Sequence, residues 1–358
     1  MRKFERLAET IKKQIEKGDF SLSDLPSERI LAEKLTANRL TIRKALALLE
    51  QQNLINRAKN GRYKITPQND GSSENTRIAL IVPPDFSSGN IRIWYEELLT
   101  CAEKNNVLFR PFLCIHWNDA SISDILSSYD GVFVIPSKKE IPPDKIEQFR
   151  AKNGLVFLNT NMSNHNILSI NLYPAIFARQ LLDQLNQMGH RSIACLHLQS
   201  DISDVLNNRI SQWEYWSSLN ENDAPIIKAD INPFNEGDRF LDAQIKKGVF
   251  KNTTAVFCTT VHAAIAMVRA CKNNGINPEK DISICTVDDE GVGMHSTPSI
   301  TCFKQPDIQK ILRPVFNWIK AGGTLDHWKG PLLIEPSSLE VYIGETTHPP
   351  LQKPKMKS

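Results

Sequence analysis

Residues 25 to 65, LPSERILAEKLTANRLTIRKALALLEQQNLINRAKNGRYKI, constrain this chain more than any other stretch: two helical patterns a few residues apart run straight into a reversing extended segment. Pro26-Ser27-Glu28 predicts a helix start, with a hydroxyl cap and an acid in the first turn. Ile30 stands where a capping box would need Glu or Gln, so the cap is a simple one. The helix is predicted to run through Ala32 to about Leu35. Asn38 can cap a second helix, in which Ile42, Ala45, Leu46 and Leu49 recur at helical spacing as the buried stripe. Arg39 and Arg43, four apart, share the opposite face with Thr41 beside them. After Leu54 and Ile55 an extended run reverses at Asn60-Gly61, a dipeptide suited to two-residue hairpin turns. Arg57, Lys59, Arg62 and Lys64 decorate that hairpin.

A helix, a tight turn, a helix and a basic hairpin describe a winged helix-turn-helix, with the Arg39 to Asn53 helix placed to enter a major groove. Arginine suits the task because its planar fork can hold a guanine edge or a phosphate with two hydrogen bonds. A basic face is most often only the solvated side of a helix; here the ordered series of elements argues for DNA. Charge distribution agrees. Residues 1 to 70 carry 15 Lys or Arg against 9 Asp or Glu, whereas the other residues carry 28 against 31. The basic excess sits where a phosphate-facing module requires it.

LPSER, NRLTIRKAL, LE, and LI before a basic hairpin resemble the DNA-binding domain of GntR-type bacterial transcription regulators, over about residues 1 to 66. The resemblance implies DNA contacts from Arg29, Arg39 and Arg43, assisted by Asn38 and Thr41. With the cap and the hairpin, the candidate DNA-binding set is Ser27, Arg29, Asn38, Arg39, Leu40, Thr41, Arg43, Lys59 and Arg62. Leu40 replaces a hydroxyl residue usual in the family, Lys44 replaces an acid, and one of the usual hairpin glycines is missing.

Upstream, Phe4, Leu7, Ala8, Ile11 and Ile15 mark a first helix that closes the small core, and Gly18 ends it. Residues 67–76 fall in a polar Pro, Gly and Ser stretch and are expected to be a linker, followed by a sensing domain over 77–346 and a tail over 347–358. From Arg77 onward short apolar runs alternate with helical stretches. The runs are continuous rather than alternating, which predicts parallel sheets covered on both faces, and their number favours two doubly wound units. The expected fold is therefore an α+β winged helix-turn-helix followed by an α/β domain of two lobes. Seven scattered cysteines without CxxC spacing suggest buried thiols in a reducing cytoplasm. The N-terminus lacks the apolar segment of a signal peptide, and no run reaches the length of a membrane span, so a cytoplasmic protein with no membrane partner is expected.

DGVFVIPS (130–137), GHRSIA (189–194), INPEKDISICTVDD (276–289) and TPSITCFKQP (297–306) resemble the effector-binding domain of LacI-type repressors, itself similar to periplasmic sugar-binding proteins, over about residues 77 to 346. A GntR-type reader joined to such a sensor resembles the arabinose-repressor-like regulators. The resemblance implies two lobes joined by three crossings, expected near 159–170, 287–303 and 321–332, around a cleft at the C-terminal strand ends. It assigns Arg209 and Asp288 to a polyhydroxylated ligand, a guanidinium opposite a carboxylate serving hydroxyls that both donate and accept. Phe234 falls where the family places an aromatic ring, and Ser87, Ser88 and Asn90 follow the first strand of the sensor. Thr260-Val261 stands in place of a usual Asn-Asp pair, which makes Thr260 a pocket candidate of altered chemistry.

The expected function is thus a homodimeric transcription regulator, a repressor on the pattern of both families, that binds a palindromic double-stranded operator and responds to a small ligand such as a sugar. Two other readings compete: a ligand-independent DNA-binding protein with a decayed sensor, and an enzyme fused to a DNA reader. No P-loop, nucleophile elbow or paired-carboxylate motif is present, and nothing marks a Schiff-base lysine, so no cofactor and no enzymatic activity are expected. The eight histidines show no HExxH or other ligand spacing, and no metal site is expected.

Overall fold

The computed structural model describes residues 2–17, 25–52, 54–57, 63–65, 76–84, 89–137, 140–199 and 204–351. At the N-terminus stand α1 (Lys3–Lys17), α2 (Glu28–Lys34), α3 (Arg39–Gln51) and an antiparallel ribbon of β1 (Ile55–Arg57) and β2 (Tyr63–Ile65). Ala8 and Ile11 of α1 meet Leu31 of α2, the Ile42, Ala45, Leu46, Leu49 stripe of α3, and Leu54 and Ile55 in one core. The Ser27 hydroxyl accepts from the Ile30 amide at 3.4 Å, and Asn38 Oδ1 accepts from the Leu40 amide at 2.8 Å. These caps satisfy amide groups that the first turn of a helix cannot pair internally. Arg57 lies opposite Tyr63 in the ribbon, while Gly18 and the Asn60-Gly61 reversal lie outside the described residues.

The next unit runs β3 (Arg77–Val82), α4 (Gly89–Lys104), β4 (Leu108–Leu113), α5 (Ser121–Ser128), β5 (Gly131–Val134), α6 (Pro143–Arg150), β6 (Leu155–Leu158) and β7 (Leu168–Ile170). A second follows with α7 (Ile176–Gln187), β8 (Ile193–His197), α8 (Asp204–Leu219), β9 (Ile226–Lys228), α9 (Gly237–Lys246), β10 (Ala255–Cys258), α10 (Val261–Asn273) and β11 (Ser283–Thr286). The chain closes with β12 (Cys302–Phe303), α11 (Ile308–Lys320), β13 (Leu333–Ile334) and β14 (Val341–Tyr342). Lobe one is a parallel sheet of order β13-β7-β6-β5-β3-β4, and lobe two a parallel sheet of order β11-β10-β8-β9. Every residue of β5, β6, β8, β10 and β11 is buried, as strands covered on both faces must be.

The crossings differ from the sequence expectation. Residues 159–170 stay in lobe one, because Leu168–Ile170 pairs with β6; the chain passes to lobe two between Ile170 and α7. Residues 287–303 loop out and return to β11, where the Thr286 amide donates to the Thr301 carbonyl and the Phe303 amide to that of Val287. The second crossing therefore begins at β12. Residues 321–332 also remain in lobe one and lead into β13, so the last crossing follows Ile334. Crossing strands β12 and β14 pair antiparallel, Cys302 opposite Tyr342, which ties two of the three connections into one ribbon. All seven cysteines are buried and none is in a disulfide. No described helix is long and apolar enough to cross a membrane.

Candidate DNA interface and ligand cleft

Burying Ile42, Ala45, Leu46 and Leu49 leaves the other side of α3 to solvent, and Arg39, Leu40, Arg43 and Lys44 are all exposed there, with Thr41 half-buried. Leu40 is 59% exposed there. Arg43 does not simply project outward. Its Nε and Nη2 donate to the Glu28 carboxylate at 3.0 and 2.8 Å, which straps the start of α2 to α3. That bond holds the Glu28 carboxyl below the usual carboxylate range and the Arg43 guanidinium above its usual value. Arg29 pairs with Glu33 at 2.8 Å along α2, both exposed. On the ribbon, the Arg57 guanidinium sits 5.7 Å from the centre of the Tyr63 ring. Ser27, Arg29, Asn38, Arg39, Leu40, Thr41 and Arg43 thus sit on α2 and α3 or at their starts, whereas Lys59 and Arg62 lie outside the described residues.

A cleft of about 820 Å³ opens between the lobes where the strands of both sheets end. Lobe one contributes Asn90 from α4, Ile135 and Ser137 after β5, and Asn159 after β6; lobe two contributes Arg209 from α8, Phe234 after β9, Thr260 and His262 after β10, and Asp288 and Glu290 after β11. Arg209 and Asp288 are almost wholly buried, and Arg209 Nη1 donates both to Asp288 Oδ2 and, at 2.6 Å, to the Thr259 carbonyl. The ion pair is only half satisfied. Arg209 Nε and Asp288 Oδ1 are buried without a hydrogen-bond partner in the protein, and so is Glu290 Oε2. Buried polar atoms left in this state cost free energy unless something enters to bond them.

Phe234 is 56% exposed at the rim, its ring tilted against His262 with centroids 4.3 Å apart, so it flanks the cleft rather than floors it. Thr260 spends its side chain locally: Oγ1 accepts from the Ala263 amide at 3.3 Å and caps α10. The residue that departs from the family pattern is therefore a helix cap at the pocket wall. Thr260→Ala is expected to lower stability by about 1 kcal/mol, measurable as a small drop in denaturation midpoint, and an unchanged midpoint would contradict the capping role. Asn90 reaches the cleft, but Ser87 and Ser88 lie outside the described residues.

Two cleft residues had no signal in the sequence. Glu290 is 5% exposed and reaches across to lobe one, where Asn90 Nδ2 donates to its Oε1 at 2.9 Å. Burial, and then the Asp288 charge, push its carboxyl up to about 8. His262 Nε2 stands 3.7 Å from Glu290 Oε2. An acid beside an Asp-Asp pair in a loop carries no period or spacing that would single it out. No group of three or more metal-ligating side chains occurs among the described residues.

Residues 3–65 match the family described as bacterial regulatory proteins, gntR family, and residues 182–313 match the periplasmic binding protein-like domain. A curated relative, the "Probable HTH-type transcriptional repressor ExuR" of Bacillus subtilis (strain 168), is 27% identical over 187 residues, 51% of this chain and 54% of that protein. The chain thus spans about half the length of the curated relative it matches. Among solved structures, transcription regulator CcpA of Lactococcus lactis is similar with a TM-score of 0.60 and 15% identity, over 76% of this chain and 100% of the other. The Lac repressor dimer bound to operator and the anti-inducer ONPF is similar with a TM-score of 0.62 and 16% identity, over 77% and 96%. At such identities these likenesses concern the fold alone. The chain joins a winged helix-turn-helix that matches the gntR family model to a two-lobed α/β domain whose residues 182–313 match the periplasmic binding protein-like model.

Proposed function

We propose that this protein is a sequence-specific, double-stranded-DNA-binding transcription regulator, acting as a repressor and as a homodimer, whose operator affinity is set by a small polyhydroxylated ligand held between the lobes. One observation carries the reading: an exposed arginine-bearing face on the second helix of a helix-turn-helix shares a chain with a hinged cleft whose buried polar atoms lack partners. A ligand hydroxyl can accept from Arg209 Nε and donate to Asp288 Oδ1 at once, which suits a sugar-like molecule. Phe234 offers such a ligand an apolar face at the rim. The half-satisfied ion pair favours an occupied sensor over a decayed one. The action proposed is binding rather than catalysis, in the cytoplasm, with no cofactor.

A two-fold operator would place two α3 helices in successive major grooves of one DNA face. Closing a cleft at its hinge alters how paired sensors sit, and only a difference in ligand affinity between the two arrangements can shift DNA binding. Selection of duplexes from a random pool, with and without a panel of monosaccharides, sugar acids and nucleosides, tests the proposal. A palindromic consensus whose retention changes with one member of the panel is expected; retention of no duplex at modest salt would refute it. With the selected operator, Arg39→Ala is expected to reduce the slope of log affinity against log salt by about one, as loss of one phosphate contact does. An unaltered slope in a salt titration would remove Arg39 from the interface.

A further inference from the structure

We propose that Glu290 is the latch through which cleft occupancy governs lobe closure: Oε1 holds Asn90 in the first turn of α4 in lobe one, and Oε2 lies buried between Gly89 and His262. This rests on the sensor reading above. The loop that follows β11 belongs to lobe two, whereas Gly89 and Asn90 open a sixteen-residue helix of lobe one, so the Asn90 to Glu290 bond spans the hinge. The approach is close enough to demand glycine. A Cβ at Gly89 would lie 2.7 Å from the Glu290 carbonyl oxygen and 2.8 Å from its Cβ, so backbone would have to shift to admit alanine. Only with the lobes together do these atoms meet.

The carboxyl faces Asp288 and Arg209 from lobe two, with His262 at the head of α10, and Arg92 of α4 lies over the adjoining Gly291. Burial and the Asp288 charge favour its neutral form, whereas the Gly89 and Asn90 backbone amides and Arg209 favour the charged one; the first pair wins, which places the group near 8. The closed arrangement thus retains a proton that an open, hydrated carboxyl would release. Closure contributed by the latch is complete at acidic pH and is lost as pH rises from the ordinary carboxylate range through about 8. Glu290 lines the cleft, so a ligand donating a hydrogen bond to its carboxylate would oppose that loss, which couples occupancy to spacing.

Peptide-resolved hydrogen exchange on the full chain tests the latch without DNA or ligand. In the wild type, after correction for intrinsic rates, exchange in residues 89–98 and 286–294 is expected to rise roughly tenfold or more between pH 6 and pH 8. Gly89→Ala is expected to raise exchange in the lobe-two segment, and Glu290→Ala in the lobe-one segment, each at pH 6. Such reciprocity is not produced by local loosening. Glu290→Gln keeps an acceptor for Asn90 and cannot ionise, so its exchange should stay low and flat across that range. Effects confined to the mutated lobe, or an unchanged pH dependence in Glu290→Gln, would overturn the latch. Reciprocal exchange in a protein that binds no duplex would support the latch and count against the regulator reading, so the two failures are distinguishable.

Discussion

Asp288→Ala should lower the stability of the sensor by about 3–5 kcal/mol, because it leaves the Arg209 guanidinium buried with its counter-ion gone. Arg209 has little recourse: it is 2% exposed, and the Thr259 carbonyl is a neutral acceptor that cannot replace a carboxylate. The expected result in a thermal melt is a drop of several degrees in the transition of the α/β domain. Asp288→Asn keeps an acceptor for Nη1 and should lose less. A larger consequence is functional. Asp288 and Arg209 line the cleft with a buried acceptor, Oδ1, and a buried donor, Nε, that no protein group bonds, so the alanine variant should also lose stabilisation by every member of a ligand panel while retaining operator affinity below its melting point. A melt within a degree of the wild type would show that the pair is hydrated, and a preserved ligand response would move the pocket away from Asp288.

The parallel sheets could be read from the chain because their strands are buried on both faces, so IALIV (78–82), LVFL (155–158) and AVFC (255–258) are continuous apolar runs that only such a sheet accommodates. Helix α5 carries no such signal. Its eight residues hold one turn and a half of the stripe Ile122, Ile125, Leu126, too little for a period to emerge. The pairs β12 and β14, two residues each, are likewise set by the partner strand rather than by local pattern. Misplacing the crossings had the same cause. Leu168–Ile170 and Leu333–Ile334 are short enough to resemble linker, and only their mutual pairing makes them the edge of lobe one.

The candidate sites divide along the same line. Residues placed by one helix, such as Arg39, Leu40 and Arg43, follow from a seven-residue pattern and their exposure follows with them. Cleft residues come from loops and helices far apart in sequence. Arg209 and Asp288 could be named only through family resemblance, and nothing local predicted that they would bury each other. Thr260, a pocket candidate from the sequence, lines the cleft, and its hydroxyl also caps α10. Glu290 and its span to Asn90 join residues two hundred apart, a relation that no single sequence displays.

Arg43 shows how a structural bond can set up recognition. Glu28 holds its guanidinium through Nε and Nη2, so the fork is oriented by the protein before it meets DNA. Held arginine loses less side-chain freedom on binding than one waving in water. The carboxylate also subtracts from the positive field at the groove, since it lies beside Arg39 and Arg43 alike. Arg43→Ala is therefore expected to weaken the selected operator roughly 10- to 100-fold and to relax preference at one base position, as loss of a bidentate base contact does. Glu28→Gln separates the two contributions. If orientation dominates, the glutamine variant loses discrimination between the operator and a variant changed at that base; if charge dominates, it binds every duplex more tightly with no change in preference. Gel-shift titrations of the three proteins on two duplexes give the answer. Equal affinity of Arg43→Ala and wild type for the operator would take Arg43 out of the groove and leave it as the bolt that joins α2 to α3.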